Sequence, residues 1–555
     1  MGVSAHVANP YRVPVSSTLY RHGVVHTSAD PFAEAILVED GVVAWLGSDD
    51  TADGFAARAD QVVDLDGALV TPGFVDAHVH VLETGLALES IDLSAAGGVR
   101  SLADALAAVS RAAAARTDDL PVLGFGWDEL DWPEGRAPTR SELDAAAGGA
   151  PVYLARVDVH SAIVSTSLAT AAGADRADGW SDDGRVERDA HHVAREAARA
   201  VSPTRRTQLY ERALAHAASR GIVSVHEHSA PSIDTRAGLV ELLELTRDAA
   251  DDRPHLAAYR GELCVTVDDA REVLAAIPGL TGIGGDLNVD GSIGSRTAAL
   301  RSAYTDAPGE RGNLYLAGEQ IANHITAVSR AGLQSGFHVI GDAAMDEVLL
   351  GLRAAADVDG AAALARTGLR LEHAEMIDAS TLAALVLMGV RLSVQPAFDA
   401  AWGGVGGMYA TRLGAGRASA LNPFADLAGA GVPIAFGSDS PVTALDPWAG
   451  VRAAAFHHEP EQRISARAAF RASSRGGWRL AGHDQVGELR VGSPAHLAVW
   501  DAEELVVQAP DGRLSAWSPD ARAGIPLLPD LSADATPPRC LRTVRDGVVL
   551  FDALS

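Results

Sequence analysis

From about residue 70 onward the sequence settles into short apolar runs that alternate with Ala- and Leu-rich stretches of helical period. RRTQLYERALAHAASRG is followed by IVSVHEH, and IANHITAVSRAG by LQSGFHV. An apolar run between amphipathic helices reads as a strand buried on both faces, so the repeat predicts a parallel sheet with a helix returning after each strand. Over this length the closed form, an α/β (β/α)₈ TIM-type barrel, fits best. A chain of 555 residues with 47% hydrophobic content can bury such a core.

The two ends differ from the middle. AILVEDGVVAWLG sets Asp40-Gly41 between apolar runs, and RTVRDGVVLFD does the same with Asp546-Gly547, both hairpin signals. The expected organisation is a small β-sandwich formed by residues 1–70 and 486–555, with the barrel over 71–485. An insertion at about 83–203, carrying Trp127, Trp132 and the Pro-rich WPEGRAPTR, follows the first barrel strand.

Charge narrows the partners. The 73 acidic against 45 basic residues leave a formal charge of −28, which argues against nucleic acid and anionic membrane surfaces and for a small-molecule substrate. No lysine occurs anywhere, so all 45 basic residues are arginine. Cys264 and Cys540 are the only cysteines, too few for a disulfide framework or a Cys-rich metal motif. The first thirty residues lack an apolar leader core, and no eighteen uncharged apolar residues occur in a row. A cytoplasmic protein is expected, with a homodimer as the prior for its assembly.

TPGFVDAHVH ends a buried-looking strand with His78 and His80, two apart and therefore on one face, at the strand end where barrel enzymes carry their sites. His338 in LQSGFHVIGD, His373 in LRLEHAEMID and Asp439 in VPIAFGSDSPV each close another short apolar run. Singly, each has an ordinary explanation as a packed histidine or a turn aspartate, with Asp342 a helix cap. Together, four histidines and an aspartate at strand ends suit zinc or a similar divalent ion with one position open to water.

These motifs, with GWDELDWPEGRAPTR, VDGSIGSRTAAL, FHVIGDAAMDEV and GELRVGSPAHLAVWD, resemble the amidohydrolase superfamily of metal-dependent hydrolases. The resemblance is to amidohydrolase family 3 and its YtcJ-like group, which includes N-substituted formamide deformylases. It covers nearly the whole chain and implies the same barrel and sandwich, a divalent metal, and hydrolysis of an amide, formamide, carbamate or cyclic amide C–N bond. By position it implies metal-site roles for His78, His80, His338 and His373 and a catalytic role for Asp439.

One position departs from the pattern. Many relatives carry a lysine four residues before the Asp-Gly-Ser of the fourth strand, carboxylated so that it bridges two metals; here that position is Asp286. An aspartate is several bonds shorter. The expectation is therefore one ion on His78, His80, His338 and Asp439, with His373 hydrogen-bonding water or substrate. The alternative is two ions bridged by another carboxylate, Glu227 of IVSVHEHS or Asp286 itself. Arg296, Trp127, Asp128 and Trp402 are candidates for the substrate pocket, against ordinary roles as a solvated loop arginine, a polar surface group or core tryptophans. Two other functions compete. Heterocycle deaminases of the superfamily place a glutamate three residues after the fifth-strand histidine, where this chain has Gly341. A non-catalytic ligand-binding or regulatory barrel fits poorly with five intact site residues.

Overall fold

A computed structural model describes residues 16–95, 97–116, 120–129, 132–157, 161–199, 201–248, 252–509, 516–518 and 526–554. Residues 1–15, half of the stretch read above for a leader, lie outside the described residues.

Eight parallel strands form one sheet in sequence order. They are β1 (Phe74–Val79), β2 (Ile222–Ser229), β3 (His255–Arg260), β4 (Gly282–Ile283), β5 (Gln334–Val339), β6 (Leu369–His373), β7 (Arg391–Val394) and β8 (Ile434–Phe436). The sheet edges meet where Val79 bridges Ser440 in parallel. There the Asp439 N–H donates to the His78 carbonyl at 2.8 Å, and the His80 N–H to the Ser440 carbonyl at 3.0 Å. The predicted barrel is the observed one. Every residue of β1 and β2 is buried, as strands covered by helices on one side and filled by side chains on the other must be. Local signals start the helices: Ser202 caps Pro203–Ser219 with proline in its first turn, and Thr266 with Asp269 closes a capping box on Val267–Ala276.

Strands from both ends of the chain build the sandwich. Leu69–Pro72 lies antiparallel to Leu497–Asp501, with Val499 opposite Val70, and the sheet continues through Arg539–Arg545 and Val548–Asp552. A second sheet of Ser17–Arg21, Ala35–Glu39, Val42–Gly47 and Gln61–Asp64 packs on it through Tyr20, Ile36, Val38, Val70, Leu497, Val499 and Val544. Both expected hairpin turns form, with φ of 50° and 75° at Asp40 and Gly41, and 48° and 78° at Asp546 and Gly547. That left-handed pair is what Asp-Gly supplies at low steric cost. The two turns also touch each other: a Cβ on Gly41 would lie 2.5 Å from the Asp546 carbonyl oxygen.

Between β1 and β2 the insertion forms its own five-stranded sheet, ordered Arg185–Val186, Ala162–Val164, Val152–Arg156, Val122–Trp127, Ile91–Asp92. Helices Leu102–Ala115 and Arg140–Ala146 contribute to one core, Thr166–Ala172 and Arg188–Ala198 to another. Glu83, buried in the helix Val81–Glu89, receives Arg195 at 3.4 Å and also Arg199, which ties the insertion to the barrel. No helix among the described residues is long and apolar enough to cross a membrane.

Trp500 joins sandwich to barrel. Its ring packs edge-on to Phe74 of β1 at 5.6 Å and to Trp448 at 5.5 Å, and its indole N–H donates to Thr71 Oγ1 at 2.9 Å. Trp500→Ala is expected to cost about 3–5 kcal/mol, read as a lower thermal and denaturant midpoint. An unchanged midpoint would show that this joint contributes nothing.

Candidate metal centre

The mouth of the barrel collects the residues the sequence singled out. His78 ends β1's inward face, and His80 follows the strand as the N-cap of Val81–Glu89. His338 lies in β5, His373 closes β6, and Asp439 sits just beyond β8. Strand alternation alone would turn His373 away from the site, because Arg370 and Glu372 occupy the inward positions of β6. A left-handed backbone, φ 68° at His373 and 47° at Ala374, swings the ring back in, 5.0 Å from His78 and 4.5 Å from His338 between centroids. Asp439 is held at φ 54°. Such conformations cost on the order of 1–3 kcal/mol each and persist where the surroundings over-determine them.

Asp286 joins this group. Its Oδ1 lies 3.5 Å from His78 Nε2 and 4.0 Å from His338 Nδ1, and its Oδ2 lies 3.2 Å from His80 Nε2. Its side chain is short for the bridging role left to it as an alternative, yet it lies within the cluster, for a reason in the backbone before it. Glu227, by contrast, does not reach the cluster. It occupies the outward face of β2, where its Oε2 accepts the Val81 N–H at 2.6 Å and satisfies the first turn of a helix.

Each histidine is oriented through its second nitrogen. His78 Nδ1–H donates to Glu372 at 2.8 Å, His80 Nδ1–H to the His228 carbonyl at 2.9 Å, and His373 Nδ1–H to Gln395 Oε1 at 2.9 Å. His338 Nε2 faces the Gly291 carbonyl at 3.4 Å. These partners are all acceptors, which places a proton on each of those nitrogens and turns the other ring nitrogen to the centre. Ligand atoms within 4.8 Å of one another define the sets His78–His80–Asp286, His78–His373–Asp439 and Asp286–His338–His373. Asp286 Oδ1 and His78 Nε2 are buried and make no hydrogen bond within the protein. Nitrogen and carboxylate donors of this kind fit a divalent ion.

The charges agree. Burial lowers the basicity of His80, yet Asp286, Asp439 and Glu227 outweigh it and push its pKa up to about 10. Burial alone would raise the pKa of Asp439, but His78, the His80 hydrogen bond and His373 hold it well below the usual carboxylate range. The carboxylates of Asp286 and Asp439 thus favour positive charge, a proton or a cation, among these rings.

A fourth set, His78–His228–Glu372, is already satisfied by a cation of the protein. Arg370, fully buried, donates Nε–H to Glu372 at 2.5 Å, one Nη to His226 at 2.8 Å, and the other to His228 at 3.0 Å and to the Ala77 carbonyl. Burial, followed by the guanidinium at His226 and by His78 and then the guanidinium at His228, keeps both rings far below the normal imidazole pKa, so both remain neutral. Asp290 of the Asp-Gly-Ser motif is structural: its carboxylate accepts the N–H groups of Ala299, Ile340 and Gly341 at 2.8, 3.0 and 2.8 Å.

The four pocket candidates separate. Trp402 packs at 4.7 Å on Phe398, which stacks on His373 at 5.9 Å, so an aromatic wall flanks the site. Trp127 is in the core of the insertion, its indole N–H on the Leu154 carbonyl at 2.9 Å. Asp128 pairs with Arg156 at 2.8 Å, and Arg296 forks onto Asp306 at 3.1 and 2.7 Å. These three side chains are committed elsewhere and are not brought to the cluster. Arg370, Glu372 and Gln395 went unread. An Arg-x-Glu inside an apolar barrel strand was the available signal, since both side chains must point into the barrel.

Residues 61–551 match the Amidohydrolase family. The chain belongs to that family. YtcJ of Bacillus subtilis is 26% identical over 447 residues, covering 76% of this chain and 80% of that protein. The N-substituted formamide deformylase of Arthrobacter pascens is 25% identical over 510 residues, covering 85% and 90%. An uncharacterized metal-dependent hydrolase from Pyrococcus furiosus shares the fold at a TM-score of 0.69 with 26% identity, over 87% of this chain and 98% of that one. With its His/Asp clusters, this amidohydrolase is a metal-dependent hydrolase acting on C–N bonds.

Two substitutions test the support of the site. Gln395→Ala should free the His373 ring and lower metal affinity by about 10–100-fold, measured by competition with a chelator. Arg370→Met takes the guanidinium from beside the buried Glu372, leaving it to the His78 hydrogen bond, and should cost about 3–5 kcal/mol; an unchanged denaturation midpoint would refute the role of Arg370.

Proposed function

We propose that this amidohydrolase cleaves small N-substituted amides or formamides, with zinc as its ion and Asp439 as the proton carrier. The observation that carries the reading is Asp439 itself, whose Oδ1 lies 3.1 Å from His80 Nε2 and 3.4 Å from His78 Nε2, at the point where the last strand meets the first. His78, His80, His338, His373, Asp286 and Asp439 are the residues that would hold metal. A divalent ion bound there supplies Lewis acidity, bringing the pKa of water at the site toward neutrality and polarising the scissile carbonyl.

The chain's own groups do the rest. Asp439 takes the proton from the attacking water and returns it to the departing nitrogen, which needs a base that then acts as an acid. Its position is fixed by the bond from its N–H to the His78 carbonyl. His373, held through Nδ1 by Gln395, presents an acceptor nitrogen toward the centre. Phe398 and Trp402 form an apolar wall beside it, which suits an apolar substituent on the amide nitrogen, and the likeness to a formamide deformylase supports the same substrate class. The protein is read as a cytoplasmic homodimer; both of its cysteines, Cys264 and Cys540, are free, which fits a reducing compartment.

Metal-reconstituted protein tested against N-acyl, N-formyl and cyclic amides should hydrolyse one class and lose that activity on chelation. Asp439→Asn should keep much of the bound metal while kcat falls by about 10²–10⁴-fold. Full activity in that variant would remove Asp439 from the chemistry.

A further inference from the structure

Asp286 reaches the site because of the glycines around it. β4 is only two residues long, Gly282–Ile283, and the chain leaves it through Gly284 and Gly285, at φ 134° and 75°. Both residues lie against their neighbours more closely than any side chain permits. A Cβ on Gly284 would sit 2.1 Å from the Gly336 carbonyl oxygen, and a Cβ on Gly285 would sit 2.1 Å from His228 Nδ1. On the facing surfaces Gly336 and Gly261 are bare as well: a Cβ on Gly336 would lie 2.9 Å from the Gly285 nitrogen, and one on Gly261 would lie 2.7 Å from the Asp286 carbonyl oxygen. The backbone therefore passes closer to Gly336 and His228 than any residue with a side chain could. A carboxylate one carbon from that backbone then stands among four imidazoles.

Six donors converge there: His78, His80, His338, His373, Asp286 and Asp439. Zinc takes about four ligands and a catalytic site leaves one of those positions open, so six exceed what one ion uses. Asp286 completes one set with His78 and His80 and another with His338 and His373, and His78, His373 and Asp439 form a third. His78 Nε2, fully buried, and Asp286 Oδ1 are both without a hydrogen bond inside the protein.

We infer that the Gly284-Gly285 step makes Asp286 the shared ligand of two ions, doing with a short side chain and a displaced backbone what a long side chain would otherwise do. The inference rests on the metal-dependent reading above and refines it in one respect, the number of ions and the group between them. A ligand supplied directly as a carboxylate needs no carbon dioxide to form.

Metal content separates the two readings. Apo protein reconstituted with zinc in carbon-dioxide-free buffer, then freed of unbound metal, should carry about two ions per chain by elemental analysis. Asp286→Asn, nearly isosteric, should drop to about one or none, with its thermal midpoint without metal close to that of the unsubstituted protein. Gly285→Ala should cause the same loss by displacing Asp286. Two ions retained by Asp286→Asn, a single ion in the unsubstituted protein, or a second ion that appears only with added bicarbonate would each overturn the shared-ligand assignment while leaving the hydrolase reading intact. Absence of any bound ion would overturn both.

Discussion

Arg370 places a full charge at the centre of the barrel, where an unpaired ion would cost several kcal/mol, and everything at the mouth is arranged on top of its compensation. Its guanidinium is shared among Glu372, the His226 and His228 rings and the Ala77 carbonyl, and lies 4.6 Å above the Tyr259 ring. Four strands, β1, β2, β3 and β6, are held by that one group. Glu372 passes the order upward by fixing His78, and His228 does so twice. Its ring stacks on His78 at 4.1 Å, and its carbonyl fixes His80. The ligand histidines are thus aimed before any ligand arrives, which is the preorganisation a metal site needs.

Much of this was legible in the residues. The alternation of apolar runs with helical stretches gave the barrel, because burial on both faces leaves a continuous apolar strand and nothing else in the sequence reads that way. Asp-Gly at both ends gave the hairpins. His78, His80, His338 and Asp439 could be picked out because each terminates an apolar run, a position where a polar side chain needs a reason. Asp286 could not be judged from side-chain length, since the deciding variable was where the backbone lies. Two consecutive glycines carry that information, but only contact with Gly336 and His228 reveals which way the chain steps. Trp127 left two readings open, pocket wall or core, because a large aromatic in a loop-rich segment serves either; the structure puts it in the core of the insertion.

Of the ten left-handed non-glycine residues among those described, three lie at the site. His373, Ala374 and Asp439 all hold left-handed backbone without being glycine, and each is anchored by bonds to a neighbouring strand: Ala374 N–H to the Val339 carbonyl at 2.9 Å, Asp439 N–H to the His78 carbonyl at 2.8 Å. The closed sheet supplies the rigidity that keeps these conformations populated. An open sheet would let β8 relax away from β1 and take Asp439 with it.

The sandwich sets a condition on when the protein can become itself. The bond from Trp500 to Thr71 spans 429 residues, and strand Leu69–Pro72 has no antiparallel neighbour until Leu497–Asp501 is available. During synthesis the strand that leads directly into β1 therefore waits, half-paired, while nearly the whole barrel is made. Contacts so distant along the chain are slow to form and leave apolar edges exposed meanwhile. The final sheet works as a clasp, and the barrel floor beneath Phe74 is sealed only when the end of the chain returns to its beginning.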